Sequence, residues 1–145
     1  MKKFVFSLQK VLDLREFQEK QAETELAKAI AETDRIKLAL IENGQKQAYT
    51  NKTRNDTSLI DQMKAIESYV NRLKKEAEDL LNDLAATELV VEEKREIMVE
   101  AMKTRKVLSK LKEKQLFQYK KEQQKAEDSA VDDIVTGHWN HSDSE

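Results

Sequence analysis

Not one of the 145 residues is proline, and only two are glycine. An interior proline costs a helix about 3 kcal/mol, because it removes an N–H and clashes with the preceding turn. A chain without one can remain helical over long stretches. The rest of the composition agrees: 37% of residues are charged, 39% hydrophobic and 6% aromatic, which suits long helices and cannot furnish a thick globular core.

Apolar residues recur at alternating steps of three and four. In the first part the stripe runs through Leu8, Leu12, Ala22, Leu26, Ala29, Ile36 and Leu40, with Arg15, Glu19 and Thr33 as its polar members. In the second it runs through Ile66, Val70, Leu73, Ala77, Leu80, Leu84, Val91, Met98 and Ala101, interrupted by Thr87 and Lys94. A stripe this narrow and this sustained is the seam of a coiled coil, not one side of a globular core. The expected seam residues are Leu8, Leu12, Leu26, Ile36, Leu40, Leu73, Leu80, Leu84, Val91 and Met98.

Between the two stripes lies NGQKQAYTNKTRNDTS, residues 43 to 58, rich in residues that favour turns. Ser58 with Asp61 after it resembles a helix start, so the reversal is placed at about 53–58 and Asn43–Gly44 is read as a weak point within the first helix. The expectation is an all-α protein, a long antiparallel two-helix coiled-coil hairpin in a single domain. Helix 1 covers about 4–52, helix 2 about 59–127, and a flexible acidic tail covers 128–145. In the simplest register Leu40 faces Leu73, Leu26 faces Thr87, Leu12 faces Ala101, and Glu19 meets Lys94 as an opposite-charge pair. The first helix then runs out opposite residue 109 or so, leaving residues 110 to about 127 as an unpaired helix. Because a turn closes the seam within one chain, the free protein is expected to be monomeric.

The opening FVFSLQKVLDL concentrates Phe4, Phe6, Leu8, Val11 and Leu12 where the hairpin would otherwise fray. Ser7, Gln9, Lys10 and Asp13 interrupt it, so it is not expected to be a signal peptide. No apolar run approaches the roughly 20 residues that span a bilayer, so no direct membrane insertion is expected. The lack of cysteine excludes disulfides and is compatible with the cytosol.

Charge is distributed in blocks. Residues 76–100 carry nine acids and two bases, residues 103–125 nine bases and two acids, and residues 127–145 six acids and no Lys or Arg. The acids of 76–100 read as a solvated helix face, since paired catalytic carboxylates need a concave dry site that two helices do not offer. No phosphate-cradling loop and no cysteine nucleophile is present, so no enzyme activity and no cofactor is expected. His138, His141 and Asp143 are read as tail residues and not as a metal site. The basic block suits an acidic protein surface. Nucleic acid is disfavoured, because acidic segments flank the block and because basic-zipper proteins place their basic helix before a parallel coil. A generic coiled-coil scaffold remains an alternative.

Two stretches carry a resemblance. Phe6, Leu8, Val11, Leu12, Leu14, Arg15, Glu16 and Glu19, together with KLKEKQLFQYKKEQQKAEDSAVDDIV and its Asp132, Asp133 and Ile134, resemble the beginning and end of FliJ proteins of the bacterial flagellar export apparatus. The resemblance implies a non-enzymatic stalk whose paired ends enter the hexameric flagellar export ATPase and stimulate it. It also implies a link to the cytoplasmic domain of the export gate, contact with export chaperones, and a cytoplasmic location peripheral to the inner membrane at the flagellar basal body. The equivalent stalk of a virulence type III secretion system is the near alternative. On this reading the ring-contacting residues are Lys3, Lys10, Lys106, Lys110, Lys112 and Lys114. The gate-contacting residues are Tyr69, Leu73 and Leu80, with Tyr49 contributed by the other helix, and Glu76 stands where the family has a small apolar residue.

Overall fold

The computed structural model describes residues 3–54, 56 and 59–142, excepting the side chains of 138–142. The protein is an all-α helical hairpin of two long helices packed against each other. Helix α1 spans Gln9–Arg54 and helix α2 spans Ile60–Ser142. The chain divides into two compact units, a terminal unit of Met1–Gln18 with Ala101–Glu145 and a loop unit of Glu19–Glu100.

In the loop unit, Ala22, Thr33, Ile36 and Asn43 of α1 and Val70 and Leu73 of α2 are buried. Leu26, Leu40, Leu80, Leu84, Val91 and Met98 lie half-buried on the same stripes, as do Glu19 and Lys94. Fully burying a Val, Leu or Ile side chain contributes about 1.5–3 kcal/mol, so Ile36, Val70 and Leu73 dominate the packing here. The turn-prone stretch from Asn43 onward stays helical to Arg54, because its polar groups find partners without leaving the helix. Thr50 Oγ1 donates to Lys46 O at 2.7 Å, and Thr53 Oγ1 to Tyr49 O at 3.0 Å. Lys52 and Arg54 in the last turn of α1, and Asp61 in the first turn of α2, suit the helix dipoles. The expected cap at Ser58 lies outside the described residues.

The register differs from the simplest one. Asn43 Nδ2 donates to Leu73 O at 2.9 Å, and Asn43 Oδ1 accepts from Gln47 Nε2 at 2.6 Å. Leu73 therefore lies against Asn43, close to one helical turn from the Leu40 that was expected to face it. The reason is the cost of burying an amide without a partner, roughly 1–3 kcal/mol. Asn43 sits on the stripe, and this alignment gives it an acceptor. Arg54 pairs with Glu67 at 3.1 Å near the connection.

In the terminal unit, α1 begins at Gln9 and not near residue 4. Residues 3–6 are non-helical, a turn follows at Ser7–Leu8, and Gln9 N donates to Phe6 O at 3.1 Å. Phe4, Val5 and Phe6 are aromatic or β-branched, types that favour extended backbone, and they alternate as such backbone requires. Phe4 is half-buried, Val5 is 80% exposed and Phe6 is 5% exposed. An extended residue advances about 3.3 Å against 1.5 Å in a helix, so these residues reach further along α2 than a helical turn would. The Phe4 and Tyr119 rings lie 5.5 Å apart. Consequently α2 does not lose its partner near residue 109. Leu108, Leu111, Lys112, Leu116, Tyr119 and Gln123 all remain partly covered, and only from Gln124 to Gly137 is every side chain exposed. The unpaired helix begins at about 124, not 110. It also continues through Ser142 where a tail was expected from 128, since Ala, Glu and Asp contain no helix breaker and Gly137 alone costs about 1 kcal/mol.

Candidate partner-binding surfaces

Within the loop unit, Tyr49 and Tyr69 come together. With Glu42, Gln45, Lys46 and Thr50 they line one shallow hollow between the helices. Tyr49 is 74% exposed, Tyr69 is half-buried, and the Arg72 guanidinium stacks on the Tyr69 ring at 5.2 Å from its centre. Arginine one turn beyond a tyrosine on a helix is the local signal for this stacking, and the sequence reading passed over it. The hollow thus sets two tyrosines beside Glu42 and Lys46, and Arg72 stacks on one of their rings.

The other two residues expected at that site are elsewhere. Leu73 is 3% exposed and faces α1, its carbonyl occupied by Asn43, so it belongs to the seam and offers no surface. Leu80 is half-buried on the same seam stripe. An aromatic and a leucine four residues apart share a helix face in principle; here Tyr69 stays half-buried beside the hollow while Leu73 is buried against the partner helix.

In the terminal unit, Lys3, Lys10, Lys106, Lys110 and Lys114 are exposed, whereas Lys112 is half-buried on the covered side of α2. Five of the six expected ring-contacting lysines are therefore exposed. Val107 and Phe117 are exposed among them, and Lys121 Nζ lies 5.6 Å from the centre of the Phe117 ring. A second small hollow is lined by Lys3, Phe4, Val5, Gln118, Tyr119 and Glu122.

Glu32 and Arg35 of α1 are joined by two hydrogen bonds of 2.6 and 3.1 Å, which hold the Glu32 carboxyl below its usual range and push the Arg35 guanidinium up. Among the described residues no group of three His, Asp or Glu is arranged to hold a metal, and no helix is long and apolar enough to cross a membrane. His138, His141 and Asp143 lie outside the described side chains.

The fold is thus an all-α helical hairpin with charged and aromatic side chains exposed on it. The chain belongs to the FliJ family: the family model described as flagellar FliJ protein matches residues 4–144. It is thus a component of the flagellar export apparatus, of a family of non-enzymatic structural and export factors. No curated protein and no solved structure matches it.

Proposed function

We propose that the protein is a non-enzymatic stalk that enters the hexameric flagellar export ATPase with its terminal unit and stimulates ATP hydrolysis. The observation that carries this reading is the family match over residues 4–144. The exposed Lys3, Lys10, Lys106, Lys110 and Lys114 support it, because a stalk inside a ring meets it through charge that is not buried in its own packing. The hollow at Tyr49 and Tyr69 is the better candidate for the export-gate contact, now without Leu73. Export chaperones are further partners, and the protein works in the cytoplasm at the inner face of the basal body.

The test is ATPase stimulation in a purified system. Replacing Lys106, Lys110 and Lys114 with Glu should abolish stimulation while helicity is unchanged, and stimulation by the native chain should fall with salt as exposed charges are screened. Tyr49→Ala should stimulate normally and lose binding to the gate domain. Full stimulation by the triple variant would remove the terminal unit from the ring. A stalk of a virulence secretion system would stimulate that system's ATPase instead of the flagellar one.

A further inference from the structure

Opposite the side of α2 covered by residues 3–15, the helix carries a second stripe at the same spacing, all of it exposed. Its first half is basic, with Lys106, Lys110, Lys114 and Lys121 set around Val107 and Phe117. Its second half is acidic, with Asp128 and Asp132 set around Val131 and Val135. These apolar residues stand among charged ones on a single stripe of three- and four-residue steps, and no described residue of the terminal unit covers this side. One continuous helix face thus holds a positive half and a negative half, each with its own apolar residues.

We infer that this face of α2 pairs with the same face of a second copy of the chain, antiparallel, across a two-fold axis between Phe117 and Lys121. A two-fold interface requires a surface that complements itself, and charge decides the direction. Parallel pairing would set the nine bases of residues 103–125 against nine others. Antiparallel pairing about this axis sets Val107 against Val131 of the second copy, Lys110 against its Asp128 and Lys106 against its Asp132. Each of these contacts occurs twice. Lys114 then meets Gln124, and Phe117 meets Lys121, repeating across the axis the cation–ring contact that the single chain already makes. Moving the axis to Lys121 itself would bring two ammonium groups together, which like-charge repulsion disfavours. The face is narrow beside the roughly 800 Å² per partner of a stable interface, so the dimer is reversible and salt-sensitive, and the dilute chain is monomeric.

This inference is independent of the ring reading, because it concerns the isolated full chain. The test is sedimentation equilibrium of that chain at rising concentration. The apparent mass should approach twice that of the monomer in low salt and return to the monomer in about 1 M salt, where the Debye length is near 3 Å. Asp128→Lys with Asp132→Lys should abolish association, as should Lys106→Asp with Lys110→Asp, each with native helicity. Mixing the two double variants should restore a dimer, because in the mixed pair every reversed charge meets an opposite one. A native chain that stays monomeric at all concentrations overturns the dimer. Association that survives in either variant alone overturns this face, and failure of the mixture to associate overturns the antiparallel register. A monomeric chain whose Val131→Asp variant loses export-ATPase binding would assign the face to that enzyme instead.

Discussion

Asn43 shows how one side chain fixes an alignment that a stripe of leucines leaves open. Aliphatic residues pack nearly as well after a slip of one turn, but a buried amide is satisfied in one register only. Asn43→Leu should therefore raise the melting temperature while relaxing the alignment. Spin labels placed on α1 and α2 of the loop unit should then report a broader or two-component distance distribution; a sharp, unchanged distribution would mean that Asn43 does not set the register. The stripe on either side of Asn43 was legible in the sequence because its period is geometric. Asn43 itself was not, because Asn followed by Gly is equally a turn signal, and only the carbonyl of Leu73 decides between turn and seam. Glu32 offers a second check. Its folded carboxyl lies below the usual value owing to the hydrogen bonds from Arg35, so the pair stabilises at neutral pH, and that contribution is lost as pH falls from the unfolded carboxyl value through the folded one. Glu32→Gln should melt slightly below the native chain at neutral pH, with the gap closing in acid. A gap that persists in acid would trace to packing.

At the scale of the elements, the first residues of the chain are the instructive case. Phe4, Phe6, Leu8, Val11 and Leu12 fit a helical stripe from Leu8 onward and a strand-like alternation before it, and over three residues the two periods cannot be told apart. The structure uses both, with extended backbone through Phe6 and helix from Gln9, so Leu12 is buried in the seam whereas Leu8, expected there too, falls in the turn and is exposed. Phe6→Ala should cost about 3 kcal/mol or more, the usual range for an aromatic removed from a packed site, whereas Val5→Asp should change stability by less than about 0.5 kcal/mol, as for exposed positions. Thermal melts giving Val5→Asp the larger effect would show that the alternation is reversed. The same logic ranks the seam. Leu73→Asp, at a buried position, should destabilise more than Leu84→Asp at a half-buried one, and Glu19→Ala should do less than either. The site residues followed the elements less well. The tyrosine–leucine spacing at Tyr69 and Leu73 predicts a shared face but not whether that face is inward, which depends on how the partner helix is aligned.

For the molecule as a whole, the side chains that hold the hairpin closed and those available to partners occupy different residues, and the C-terminal part of α2 makes the separation testable. From Gln124 to Gly137 every side chain is exposed, so no burial there resists unfolding. Helical structure persists because Ala126, Glu127, Ala130 and their neighbours do not break it, and the four acids Glu127, Asp128, Asp132 and Asp133 keep it solvated. A chain shortened to end at Gln123 should then unfold within about 0.5 kcal/mol of the full chain, the range expected where no packed or capped group is lost, while its total ellipticity falls in step with the helical residues removed. Phe4, Phe6 and Tyr119 all remain in the shortened chain, so the packing of the terminal unit is untouched. Self-association should vanish, since Asp128, Val131 and Asp132 are gone. Stimulation of the export ATPase should persist to the extent that it depends on Lys106, Lys110 and Lys114, which are retained. A large loss of stability on shortening would mean that residues beyond 123 pack on the hairpin, and the exposed stripe of α2 could then not serve as a free surface.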